Sequence, residues 1–175
     1  MVNIPRSVKD DFYRYKMPEL VTKVEGRGNG IKTVLVNISD IGKTLARPPV
    51  YFTKYAEIML GTLTFTDTEK DRYVVNGTPS KDKLEQLLDE FIEKYVLCRI
   101  CHNPETIMNI SRRGAVKIRC KACGANSRCP VVDKMSRFIM KVWFLTHLFY
   151  HPLSREKRTH SLLCVFLESL LSAEG

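Results

Sequence analysis

The chain has 175 residues, 44% of them hydrophobic and 27% charged, with a formal net charge of +9 at pH 7. That composition excludes a disordered or fibrous protein and has room for a folded core joined to a small metal-stapled module. The charge is uneven, with eleven basic against two acidic residues between 94 and 141 and four against eight between 61 and 93, so a polyanion-facing surface is expected over the former stretch.

Met1 is followed by Val2, Asn3, Ile4, Pro5 and Arg6 with no apolar run. A cleaved secretory signal is therefore not expected, and the protein is read as cytoplasmic. Next comes an aromatic and basic run, Phe12-Tyr13-Arg14-Tyr15-Lys16-Met17-Pro18. By itself it suits an RNA-stacking patch, a tail folded on the core, or an arginine presented to a partner. Strands are predicted at residues 20–25, 33–38, 62–65 and 72–76, the last leading into an Asn76-Gly77 turn. Between the second and third, Ser39 is the expected cap of a short helix running to Ala46 and ended by Pro48 and Pro49. A second helix is expected from about Val50 to Leu60, stopped by Gly61. Residues 81–95 place Leu84, Leu87, Leu88, Phe91, Ile92 and Tyr95 at helical spacing, with Thr78 or Ser80 available as cap.

Gly26, Gly28 and Gly30 ahead of Lys32 and Thr33 make a near match to a phosphate-binding loop. Ile31 stands where such a loop needs glycine, and the residues after Thr33 read as a strand instead of the helix whose N-terminus faces the anion. A hairpin loop is the preferred reading, with nucleotide binding by Gly26, Gly28, Gly30, Lys32 and Thr33 as the alternative.

Cysteine spacing is the strongest local signal. Cys98 and Cys101 are separated by two residues, as are Cys120 and Cys123, and eighteen residues lie between the pairs. In a reducing compartment this is a four-cysteine zinc pattern: each pair sits on one tight turn, and the intervening hairpin brings the turns together. Four thiolates leave no open position for water, so structural Zn2+ is expected. Cys129 and Cys164 fall outside the pattern. The fold class is therefore α+β, a small mixed-sheet core with packed helices followed by a four-cysteine zinc ribbon. Its expected divisions are 1–95 (core), 96–141 (ribbon) and 142–175 (an apolar tail).

Longer motifs now become legible in order: FYRYKMP at 12–18, KVEGRGNGIKTVLVN at 23–37, RPP at 47–49, TKY at 53–55, DRYVVNG at 71–77, NPET at 103–106 and CKACG at 120–124. Over about residues 3–141 the chain resembles the eukaryotic translation initiation factor 5 family. The related beta subunit of initiation factor 2 shares the two-part fold and the ribbon but lacks the FYRYKMP entry and the EGRGNGIKT loop. The resemblance implies a GTPase-activating protein for initiation factor 2, working on the preinitiation complex of the small ribosomal subunit that holds initiator tRNA. It implies that the chain is no GTPase itself. Arg14 matches the family's proposed arginine finger, supplied in trans to the partner's GTP. Lys32 and Lys54 match basic positions associated with that activity. The alternatives are a non-catalytic ribosome- or tRNA-binding module, whose cations would include Arg112 and Arg113, and a GTP-binding protein in its own right.

The resemblance stops after Lys141, and 142–175 matches neither the family's linker nor its C-terminal helical-repeat domain, its main docking platform. The apolar stretch at 138–150 is too short to span a membrane. The tail's composition suits a truncated or mis-spliced end, and a monomer without membrane contact is expected.

Overall fold

The computed structural model describes residues 1–111, 115–129 and 133–150. The chain divides into two units, Met1–Val142 and Trp143–Gly175. In chain order the elements are β1 (Val2–Asn3), β2 (Lys16–Met17), β3 (Thr22–Glu25), a short 3-10 turn (Gly28–Gly30), β4 (Lys32–Leu35), α1 (Ile38–Thr44) and α2 (Pro49–Leu60). There follow β5 (Thr64–Asp67), β6 (Arg72–Asn76), α3 (Lys81–Tyr95), β7 (Thr106–Ile110), β8 (Val116–Cys120), β9 (Asn126–Arg128) and α4 (Asp133–Tyr150). They build a β1-β2 pair, a four-stranded sheet in the order β3-β4-β6-β5 and a three-stranded sheet β7-β8-β9. The α+β class is as expected, and the core sheet is antiparallel in every described pairing rather than mixed.

Helix α3 forms where the periodicity placed it. The Ser80 side chain accepts from the Lys83 amide, Asp82 lies in the first turn and Lys94 in the last, each favourable to the helix dipole. All six apolar positions are buried. Phe91 stacks on Tyr95 at 5.4 Å and meets Tyr55 of α2 at 5.7 Å, so the two helices share an aromatic seam over the sheet face that carries Leu35, Tyr73 and Val75. Each such side chain contributes about 1.5–3 kcal/mol by leaving water. Pro49 starts α2 at a position where its missing N–H costs nothing.

The predicted cap at Ser39 requires correction. Helix α1 begins at Ile38, and Ser39 is buried with its hydroxyl donating to the Asp71 carboxylate. Asn37 occupies the cap position, yet its side chain faces the segment just ahead of β3: the Val21 amide donates to Asn37 Oδ1 at 2.8 Å and Asn37 Nδ2 donates to the Glu19 carbonyl at 2.7 Å. That bridge turns the chain at 36–37, so the strand expected to reach residue 38 ends at Leu35.

Arg47 joins the core to the ribbon. It is only 5% exposed, and its guanidinium donates to the carbonyls of Tyr95 (3.1 Å), Ala46 (2.9 Å) and Thr106 (3.0 Å) and to the Thr106 hydroxyl (2.8 Å). Burial lowers its pKa to about 10, which leaves it charged at neutral pH. Carbonyl dipoles, and no carboxylate among the described residues, compensate that charge. Arg47→Ala strands the Tyr95 and Thr106 acceptors away from water and is expected to cost about 3 kcal/mol. The check is a lower urea midpoint with an unchanged slope of stability against urea.

Candidate metal centre and arginine loop

Two equivalent turns present the four cysteines. The Cys98 amide donates to the Asn103 carbonyl (3.1 Å) and the Cys120 amide to the Ala125 carbonyl (2.9 Å), the same six-residue closure twice. Each turn needs a left-handed residue directly after its second cysteine. Gly124 supplies it at φ 72° and His102 at φ 54°. The four sulfurs lie within 4.8 Å of one another, with Cys98–Cys123 and Cys101–Cys120 each at 3.6 Å. The edge of a zinc–thiolate tetrahedron is about 3.8 Å, given bonds of about 2.3 Å, whereas a disulfide is about 2.05 Å. The cluster is therefore shaped to hold a metal ion and not to cross-link. Burial pushes the Cys98 thiol up, but the amides of Cys101 and Ile100 and the neighbouring thiols outweigh it and bring it to about 7.

Arg14 is not on a free tail. Strands β1 and β2 pair Val2 with Met17 and Asn3 with Lys16, closing a loop over residues 4–15. Ile4 and Met17 anchor its base in the core at 2% and 0% exposure. Inside the loop, Asn3 Nδ2 donates to the carbonyls of Val8 (2.8 Å) and Asp10 (2.7 Å), the Phe12 amide donates to Asp10 Oδ1 (2.9 Å), and Lys16 Nζ donates to the Asp11 carbonyl (2.6 Å). Arg14 is exposed. Its guanidinium carbon lies 5.7 Å from the Tyr15 ring centroid, and among the described residues no carboxylate pairs with it. A braced loop thus displays an unneutralised guanidinium, the fork that suits phosphate oxygens.

The other singled-out residues lie elsewhere. Lys32 opens β4 and is exposed; Thr33 is 1% exposed and donates its hydroxyl to the Gly77 carbonyl at 2.9 Å. Gly26 packs so tightly that an added Cβ would lie 2.4 Å from the Gly30 carbonyl oxygen. Gly28, Gly30 and Lys32 border a cleft with Ile31, Asn76, Gly77 and Thr78, but the glycine loop leads into strand β4 and not into a helix, and the Thr33 hydroxyl already has an acceptor. Lys54 on α2 pairs with Glu57 and lies 5.7 Å from the Phe138 ring centroid.

The family model described as the domain found in initiation factors 2B and 5 matches residues 5–126. The chain belongs to that family. Among individual relatives, it is 51% identical to eukaryotic translation initiation factor 5 of Caenorhabditis elegans over 140 residues, 80% of this chain and 32% of that protein. The mouse factor 5 is 50% identical over 141 residues, covering 80% and 33%, and the Saccharomyces cerevisiae factor 48% over 140 residues, covering 80% and 35%. The chain spans about a third of the length of these curated relatives, consistent with a resemblance that ends near residue 141. These relatives are all named as translation initiation factors. No helix among the described residues is long and apolar enough to cross a membrane.

Sequence reasoning missed several residues that organise this initiation-factor domain. Asn3 holds the arginine loop, Arg47 clamps the ribbon, and Glu105 accepts the Tyr15 hydroxyl at 2.8 Å. Of these, Arg47 and Glu105 lay in quoted motifs, RPP and NPET, but as resemblance without a physical role. The basic surplus of 94–141 also gains a shape. Strand β8 alternates buried Val116, Ile118 and Cys120 with exposed Lys117 and Arg119, and Lys117 pairs across the ladder with exposed Arg128. Arg112 and Arg113 lie outside the described residues.

Proposed function

We propose that this chain is a zinc-ribbon translation initiation factor that stimulates GTP hydrolysis on initiation factor 2, while that factor holds initiator tRNA on the small ribosomal subunit, with Arg14 supplied in trans. The observation carrying this reading is the exposed Arg14, which no carboxylate among the described residues neutralises, on a loop whose neighbouring residues are hydrogen-bonded in place. Hydrolysis spreads negative charge over the γ-phosphate oxygens, and a guanidinium held ready at that point stabilises the transition state without first paying for its own ordering. GTP stays on the partner. The chain contributes an arginine and a shape, and Zn2+ at Cys98, Cys101, Cys120 and Cys123 supplies structure alone, since four thiolates fill its coordination. Lys32, exposed beside the glycine loop, is suited to docking against phosphate; Lys54 is partly neutralised by Glu57 and supports the fold of α2 as much as any partner. The test is single-turnover GTP hydrolysis by preinitiation complexes with and without the chain. An unchanged rate at saturating protein overturns the proposal.

A second activity, RNA binding by the ribbon, has its own observation in the exposed row of Lys117, Arg119 and Arg128. Phosphate contacts release counterions, so affinity for tRNA or ribosomal subunits should fall as salt rises. Replacing these three side chains by alanine is expected to weaken binding and to flatten the logarithmic salt dependence by about two units, at roughly 0.7 for each phosphate of a single strand that is no longer neutralised. Filter binding across a salt series checks it. An unaltered slope means the three cations only solvate the ribbon.

A further inference from the structure

The arginine loop is tied to the ribbon by the Tyr15 hydroxyl, which donates to Glu105 Oε1 at 2.8 Å. The same Tyr15 ring lies under the Arg14 guanidinium at 5.7 Å and meets Tyr13 edge-on at 5.7 Å. Glu105 is in turn held from three directions. Its amide donates to Asn103 Oδ1 at 2.8 Å, just past the first cysteine turn. Its carbonyl accepts from the amide of Lys121, which lies between the two cysteines of the second turn, at 2.9 Å. The next residue, Thr106, is clamped by Arg47 and donates its hydroxyl to the Val96 carbonyl. Both cysteine turns and the core therefore fix the backbone of Glu105, and its carboxylate holds the tip of the ring beside Arg14.

We propose, on the reading of Arg14 given above, that Glu105 is a positioning residue for Arg14, acting through Tyr15, so that the ribbon sets where the arginine loop points. A carboxylate acceptor makes the stronger class of hydrogen bond. Without it the Tyr15 ring, still packed along one side against the core, loses the bond that fixes its tip, and the surface that the guanidinium rests on loosens with it. The loop base, anchored by Ile4 and Met17, stays in place. Losing the bond therefore misaims Arg14 without unfolding the chain, and misplacement of a reacting group costs rate more than affinity.

The experiment compares Tyr15→Phe, Glu105→Ala, Glu105→Gln and the Tyr15→Phe/Glu105→Ala pair in the whole chain. Three quantities are measured: zinc content, amide hydrogen exchange over residues 10–16, and single-turnover GTP hydrolysis on initiation factor 2 as a function of chain concentration. Tyr15→Phe and Glu105→Ala should each speed exchange in the loop and lower the maximal rate about tenfold, with the half-maximal concentration within about twofold of the parent. The double variant should be no worse than either single one. Glu105→Gln should recover most of the loss, because its amide oxygen still accepts from the phenol. Unchanged exchange in both single variants, additive losses in the pair, or a weakened half-maximal concentration with an unchanged maximal rate would each overturn the proposal. If Glu105→Ala loses zinc, Tyr15→Phe decides, since it removes only the donor on the loop. If Arg14→Met proves neutral for hydrolysis, the functional reading fails, while the exchange data still decide whether Glu105 positions the loop.

Discussion

Arg14→Met is expected to lower the stimulation of GTP hydrolysis at least about a hundredfold, a loss of roughly 2.7 kcal/mol of transition-state stabilisation. The fold should survive, because Arg14 is exposed and the loop is held by Asn3, Asp10 and Tyr15. Arg14→Lys should rescue little: an ammonium on a flexible stem has no fork to span two phosphate oxygens. Binding to initiation factor 2 should change far less than rate, as befits a contact made mainly in the transition state. The decisive measurement is the maximal single-turnover rate at saturating chain, with half-maximal concentration determined in parallel. A loss of rate that merely tracks a loss of binding would make Arg14 a docking residue.

Removing the metal should have the largest effect on structure. The purified chain is expected to carry one zinc, and Cys98→Ser to lose it, because three thiolates and a hydroxyl form a far weaker site. The three-stranded ribbon has few apolar residues to bury beyond Val116 and Ile118, so most of its folding energy, on the order of 10 kcal/mol, must come from the metal. Elemental analysis gives the stoichiometry, and circular dichroism before and after chelation gives the loss of ordered structure. Zinc content unchanged by Cys98→Ser would overturn the four-cysteine assignment.

What the sequence made legible was local. Two residues between paired cysteines define a turn whatever surrounds it, and residues 81–95 carry a helical stripe that one core face satisfies; both came through intact, as did the strand at 72–76. Misreadings arose where apolar content misleads about direction. The strand expected at 62–65 lies at Thr64–Asp67, because Leu63 and Phe65 are 74% and 59% exposed and it is the threonines that face the sheet's inner side. Ser39 has the chemistry of a cap, but Asp71, thirty-two positions away, takes its hydroxyl. The same holds for Arg47, whose partners Tyr95 and Thr106 are forty-eight and fifty-nine residues distant, and for Tyr15, ninety from Glu105. Periodicity and spacing carry no information about such pairs. For the candidate site, the arginine was visible in its motif, whereas the closed loop that displays it depends on Val2 and Asn3 pairing with Lys16 and Met17.

The Arg47 clamp bears on how the protein melts. One guanidinium ties together Ala46 in the connection between α1 and α2, the last residue of α3 and the first of β7, so none of the three can open without exposing the others' acceptors. Such wiring merges what would be two foldons into one cooperative transition. Calorimetry should show a single peak whose van't Hoff and calorimetric enthalpies agree, and an unfolded ribbon should carry the core's melting temperature down with it. Cells short of zinc would then hold less of the whole domain, since chains opened at the ribbon are also opened to proteases at the core.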